Sequence, residues 1–147
     1  MKEEAPDTFQ DICVDASLWI RLLAQEDSSG ELEKMFWRWL DERNFFIAPS
    51  LLIFEIHSTF RKKFKKGEMT GDRMLEATKR LSRLPILLYQ SQEFFAHVWE
   101  WAQKLNETVI YDVSYLALAA WKHVPYWTAD RKFYDIAKKH YADAHLG

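Results

Sequence analysis

Three acidic residues stand where the local sequence gives an acid little reason to be. Asp15 ends the apolar run Ile12-Cys13-Val14, Glu55 lies inside Leu51-Leu52-Ile53-Phe54-Glu55-Ile56, and Asp112 opens the apolar stretch from Tyr111 to Ala119. Asp130, just past Pro125-Tyr126-Trp127-Thr128, makes a fourth. A carboxylate in apolar surroundings is costly unless it is hydrogen-bonded or neutralised, and several together repel one another unless a cation or shared protons intervene. A divalent metal is the natural counterion. All-oxygen ligation suits hard cations, and Mg²⁺ is commonly held by one or two carboxylates, with waters and substrate phosphate completing its shell. Such a cation lowers the pKa of a bound water and neutralises charge on a leaving oxygen, so these residues point to chemistry on phosphoryl substrates.

Each acid also has a plainer reading when taken alone. Asp15 could cap a helix, Asp112 could be a first-turn residue favoured by the helix dipole, and Asp130 could belong to a turn. Glu55 resists this best: it is flanked by apolar residues and lies too deep in its segment for a first-turn acid, so a structural role would require a buried partner.

The elements that must position these residues follow from the pattern. Asp11 to Ala16 reads as a buried first strand, after which Ser17 or Asp15 opens a helix through Leu18, Trp19, Leu22 and Leu23, stopped by Asp27-Ser28-Ser29-Gly30. Leu32, Met35, Phe36, Trp39 and Leu40 recur at the spacing of one helical face. Phe45 to Pro49 predicts a second strand, and a third helix runs from about Leu51 to Lys66, ended by Gly67. Thr70 to Leu84 is a fourth helix, with Met74, Leu75, Thr78, Leu81 and Leu84 as its pattern, and Pro85 separates it from the strand Ile86 to Tyr89. Ser91 caps a helix carrying Phe94, Phe95, Val98, Trp99, Ala102 and Leu105; a more apolar helix follows from about Tyr111 to His123. Pro125 to Thr128 is a fourth strand, Arg131 to His140 a helix, and the last residues a weak edge strand. Strands separated by helices imply an α/β fold with a mostly parallel sheet and helices on both faces. In such sheets ligands bind beyond the carboxyl ends of the strands, near the point where strand order reverses, and Asp15 and Asp130 both lie at strand ends.

The chain of 147 residues suits one domain, residues 11–147, after a polar tail, residues 1–10. Its 48% hydrophobic, 16% aromatic and 29% charged composition is that of a folded protein with an aromatic-rich core. A single cysteine, Cys13, excludes an intramolecular disulfide and any cysteine cluster, and reads as a small core residue. The acidic start MKEEAPDTFQD has no signal-peptide core and no later run is long enough to span a bilayer, so a cytoplasmic protein without membrane contact is expected. The five histidines form no zinc-protease pair, and the turn after the first strand lacks the glycines of a dinucleotide fingerprint or P-loop.

The segments Val14-Asp15-Ala16-Ser17, Phe54-Glu55-Ile56, Tyr111-Asp112-Val113-Ser114-Tyr115-Leu116-Ala117-Leu118-Ala119 and Thr128-Ala129-Asp130-Arg131-Lys132-Phe133 resemble, in order, spacing and context, the signature elements of PIN domains, in particular the VapC-like toxins. The pattern departs at Val113, where the family usually has a small residue. The resemblance implies a three-layer α/β/α fold with a central, mostly parallel sheet of four to five strands, Mg²⁺ or Mn²⁺ at the acidic cluster, and endonucleolytic cleavage of RNA. It also implies that Asp15, Glu55, Asp112 and Asp130 are the catalytic metal-site acids, with Ser17 and Thr128 as supporting hydroxyls. A small antitoxin protein is the partner such toxins usually have, although stand-alone relatives exist.

A net charge of −2 and a pI near 6.2 do not by themselves announce an RNA binder. The run Arg61-Lys62-Lys63-Phe64-Lys65-Lys66 concentrates positive charge at one helix end and could hold RNA backbone, or be simply a solvated helix end. Arg73, Lys79, Arg80 and Arg83 favour a localised basic rim. Trp37 falls off the buried stripe of its helix and could dock an antitoxin helix or a second subunit of a homodimer, while the other tryptophans are expected in the core. Two other readings compete with the nuclease: a dehalogenase-like phosphatase, which wants a second aspartate where Ser17 stands, and a non-catalytic module binding RNA or protein.

Overall fold

The structure is a computed structural model and describes residues 10–25, 29–42 and 44–147. The tail expected over residues 1–10 lies outside the described residues except for Gln10, as do Asp27 and Ser28 of the expected helix stop. The elements run β1 (Ile12–Val14), α1 (Ala16–Leu23), α2 (Glu31–Asp41), β2 (Phe46–Pro49), α3 (Leu51–Lys65), α4 (Gly71–Ser82), β3 (Ile86–Tyr89), α5 (Gln92–Leu105), α6 (Tyr111–Lys122), β4 (Tyr126–Thr128), α7 (Arg131–Lys138) and β5 (Ala144–Leu146).

All five strands are parallel, in the order β3-β2-β1-β4-β5. Cys13 is the register point, opposite Ile47 on one side and Tyr126 on the other. The chain moves outward from β1 through β2 to β3, then returns to lay β4 and β5 on the other side, so strand order reverses between β1 and β4. Right-handed crossovers then put α1 to α4 on one face and α5 to α7 on the other, giving three α/β/α layers. The final edge strand forms, pairing Tyr126 with Ala144 and Thr128 with Leu146.

The helix starts follow local chemistry. Thr70 accepts from the Arg73 amide at 3.2 Å and Ser91 from the Phe94 amide at 3.1 Å, each satisfying a donor the helix itself cannot. Gly67 takes φ +75 just after α3, a conformation open to glycine at little cost. On the first face, Trp19 meets Phe46 edge-on with centroids 4.8 Å apart, and Phe36 stacks on Phe46 at 5.6 Å. Pairs of this geometry contribute about 0.5–1.5 kcal/mol each beyond simple burial.

One expectation about burial is overturned. The helix α5 presents Phe94, Val98 and Ala102 inward, but Phe95 is 40% and Trp99 75% exposed. Its apolar stripe is wider than the surface its neighbour α6 covers, so Trp99 is not a core tryptophan. Strand β3 is an edge, with Leu87 and Leu88 both exposed. Trp37 is exposed, as its position off the stripe requires. Among the described residues no helix is long and apolar enough to cross a membrane.

Candidate active site

The end of β1 fixes the first acid. Asp15 follows Val14 directly, takes an extended backbone conformation and caps α1, its carboxylate accepting from the Ser17 amide at 3.1 Å. The capping role available to Asp15 is therefore real, yet it does not account for the surroundings. The residue is only 4% exposed. It also accepts hydrogen bonds from the Ser17 hydroxyl and, at 2.9 Å, from the Tyr126 hydroxyl on β4. Ser17 Oγ in turn accepts from the Ala129 amide at 2.9 Å and lies 3.3 Å from Thr128 Oγ1, which accepts from the Asp130 amide at 3.0 Å. Ser17 and Thr128 thus lace the end of β1 to the end of β4 across the point where strand order reverses. Burial pushes the Asp15 carboxyl above its ordinary value, against the lowering effect of Ser17, Thr128 and Tyr126, and Asp112 pushes it further up.

The other acids arrive from three helices. Glu55 lies in the second turn of α3, half-buried, and accepts from the Tyr115 hydroxyl at 2.6 Å. Its neighbour Phe54 turns to solvent at 78% exposure, so the apolar sequence around Glu55 does not enclose it; Tyr115 on α6 is the partner that does. Desolvation raises the Glu55 pKa, the Tyr115 bond lowers it, and Asp112 and Asp15 raise it. Asp112 occupies the first turn of α6, where burial, Asp130 and Glu107 raise its pKa. Asp130 caps α7, accepting from the Phe133 amide at 3.1 Å. The four acids therefore sense one another's charge along the carboxyl edge of the sheet: Asp15 and Glu55 both face Asp112, and Asp112 faces Asp130. None of them forms a salt bridge among the described residues. Nor do any three Asp, Glu, His or Cys side chains among the described residues group closely enough to hold a metal ion as they stand.

The sequence from β1 through α7 also matches a known family as a unit. The PIN domain family model matches residues 12–139, most of the chain. This chain belongs to the PIN domain family. PIN domains are typically nucleases that use divalent metals, a role to which an all-carboxylate edge is suited. The crystal structure of PAE2754 from Pyrobaculum aerophilum shares the fold, with a TM-score of 0.67 over 95% of this chain and 91% of that one, at 20% sequence identity. No curated protein matches the chain in sequence.

Several residues of this PIN domain site carry no sequence signal of their own. Tyr115 and Tyr126 are buried aromatics whose rings read as core, and only the fold turns their hydroxyls onto Glu55 and Asp15. Both phenols are held protonated, pushed up by burial and by the carboxylates they face. A cleft of about 320 Å³ opens beside Asp112 and Asp130, and Glu107 and Lys132 complete its polar lining.

The basic residues are less uniform than the sequence suggests. Arg61, Lys62, Lys65 and Lys66 are exposed at the far end of α3; Lys63 is half-buried on the same flank as Glu55, eight residues on and about 12 Å along the axis. On α4, Arg80 pairs with Glu76 at 3.7 Å and Arg73 donates to the Ala24 carbonyl at 3.3 Å. Arg80 and Arg83 line a separate, apolar groove. The rim expected from α4 is thus partly committed to structure.

Ser17→Ala removes the hydroxyl that joins Asp15 to the Ala129 amide. It is expected to cost about 1–3 kcal/mol of stability in chemical denaturation, because the Ala129 amide loses its partner.

Proposed function

We propose that this PIN domain is a Mg²⁺- or Mn²⁺-dependent endoribonuclease that hydrolyses RNA phosphodiester bonds in the cytoplasm, with Asp15, Glu55, Asp112 and Asp130 as its catalytic, metal-holding acids. One observation carries the reading. Four carboxylates lie within reach of one another's charge where strand order reverses, three are held above their ordinary pKa, and among the described residues no cationic side chain pairs with any of them. The donor set is all oxygen, which fits a hard divalent cation. When bound, such a cation supplies an activated water and neutralises charge on the leaving oxygen.

The chain's own residues do the rest. Ser17 and Tyr126 fix the Asp15 carboxylate from two sides, so its orientation is set before any ligand arrives. Tyr115 does the same for Glu55, and Thr128 steadies the turn that presents Asp130. Arg61, Lys62, Lys63, Lys65 and Lys66 lie about two to three turns beyond Glu55 along α3. They are suited to holding flanking phosphates of a strand that the acids alone would repel. Replacing Lys62, Lys65 and Lys66 together by Ala is expected to weaken RNA binding and flatten its salt dependence, measured by titration at several ionic strengths.

A toxin role, with a small antitoxin protein as inhibitor, belongs to the same proposal. The apolar groove lined by Leu22, Phe36, Trp37, Leu40 and Leu84 offers a surface for that partner. Expression in bacteria is expected to arrest growth and Asp15→Asn to relieve the arrest. A homodimer is proposed as well, on the exposed Phe95 and Trp99 of α5. Sedimentation equilibrium is expected to give twice the 17.6 kDa chain mass, and Trp99→Glu to return it to the single-chain value. A dehalogenase-like phosphatase would need a second aspartate at position 17, and Ser17 is there committed to Asp15 and the Ala129 amide.

A further inference from the structure

The cleft beside Asp112 and Asp130 has more to it than carboxylates. Its volume, about 320 Å³, lies at the small end of the range of ligand sites, room for one base rather than a longer ligand. Polar side chains make up half of its lining, and Val109, Val113, Phe133 and Ile136, from the loop before α6, from α6 itself and from α7, make up the rest, with Val109 exposed and Val113 and Phe133 buried behind it. Lys132 is the only cation among the lining residues and makes no ion pair among the described residues. The apolar part of the lining, Val109 and Ile136, suits the face of an unstacked base, and a lysine at the rim suits the phosphate attached to it.

Glu107 lines this cleft from its exposed rim, within reach of the Asp112 charge, with a side chain that forms no hydrogen bond within the described residues. Its backbone is held firmly. Asn106 ends α5 in the left-handed conformation at φ 53, its amide bonding the Gln103 carbonyl at 3.2 Å, and the Glu107 amide bonds the Ala102 carbonyl at 2.9 Å. The carboxylate is therefore presented from a fixed point. An ionised carboxylate is acceptor-only and offers two oxygens side by side. Among the RNA bases, guanine alone presents two adjacent donors on its Watson–Crick edge, N1–H and the 2-amino group. Adenine and cytosine present one amino group beside an acceptor, and uracil a single N–H between two carbonyls.

We propose that this cleft seats one base of the RNA strand next to the cleaved phosphodiester, and that Glu107 reads it, favouring guanine. The inference rests on the endoribonuclease reading above and adds its sequence preference. In this arrangement Lys132 meets the phosphate of the seated nucleotide, while Asp112 and Asp130 lie beside it on the side where the strand is cut.

The test is cleavage of short single-stranded RNAs that differ at one position, with guanine, inosine, adenine, cytosine or uracil there, by the wild-type protein and by Glu107→Gln with Mg²⁺ or Mn²⁺. Inosine keeps N1–H and lacks the 2-amino group. The wild type is expected to cut next to guanine roughly tenfold or more faster than next to inosine, the size of a good bidentate contact, and Glu107→Gln to lose that difference. Because the Glu107 side chain makes no hydrogen bond among the described residues and its charge opposes that of Asp112, the variant is expected to unfold at or above the wild-type temperature, and Glu107→Ala gives a second variant with the same expected loss of preference. Wild-type cleavage indifferent to guanine or inosine, or a guanine preference retained in both variants, overturns the base pocket alone. A wild type that cuts none of these RNAs overturns the nuclease reading, and this inference with it.

Discussion

Asp15→Asn is expected to reduce RNA cleavage by at least ~100-fold while leaving the metal-free protein as stable as the wild type or more so. The two halves of this result have separate causes. The activity loss follows from removing a negative oxygen from the proposed metal site, where a divalent cation would contribute several kcal/mol of charge stabilisation, each 1.36 kcal/mol being worth tenfold in rate. The stability follows from the surroundings of the carboxylate. Asparagine caps a helix as well as aspartate does, so the Ser17 amide keeps its acceptor, and the Tyr126 hydroxyl can turn from donor to acceptor. What disappears is a buried negative charge that burial and Asp112 both oppose. A residue kept only for its cap would behave differently: its replacement by Asn would leave activity unchanged as well. Activity on a defined RNA and thermal unfolding in chelator, side by side, separate the two.

The second large effect is the dependence of metal-free stability on pH. Asp15, Glu55 and Asp112 all have folded-state pKa values raised above their ordinary values of 3.8, 4.5 and 3.8. The folded chain therefore holds protons that the unfolded chain has already released. Their contribution to stability is fully present below the ordinary carboxylate range and is lost as pH rises through the raised values. In chelator, this site is expected to make the protein progressively less stable from about pH 4 upward, across the window set by those raised pKa values. A divalent cation at the proposed site is expected to reverse the sign, since it would bind the ionised carboxylates and displace their protons. At 100 times its dissociation constant it is expected to add about 2.7 kcal/mol. Unfolding followed at several pH values with and without Mn²⁺ measures both, and a metal-induced gain that grows with pH is the expected pattern.

Much of this architecture is legible in the sequence because the signals are local. Ser91, Thr70 and Asp130 mark helix starts by their own side chains, and the apolar run Ile12 to Val14 has no alternative to burial between two neighbouring strands. What the sequence does not carry is the width of a face or the partner across a gap. The stripe of α5 shows that the helix is amphipathic, yet only the packing of α6 decides that Phe94 is covered and Trp99 is not. Ile86 to Tyr89 has a buried strand's residue types, and only the strand order makes it an edge. Asp15, Glu55 and Asp112 stand out as acids in apolar runs and Asp130 as an acid at a strand end, whereas Tyr115 and Tyr126 are indistinguishable from core aromatics until α6 and β4 are set beside α3 and β1. Glu107 is hidden for a different reason. A glutamate in a polar loop after a helix is unremarkable until the loop turns it toward the cleft that Asp112 and Asp130 also line.

The central claim is that the carboxylates at the strand-order reversal hold a divalent cation and cut RNA with it. Incubating the purified chain with single-stranded RNA in Mg²⁺ or Mn²⁺, in chelator, and beside the folded Asp15→Asn variant tests it most directly. Internal cleavage that requires the metal and disappears in the variant is the predicted result; cleavage undiminished in chelator or in Asp15→Asn would contradict it.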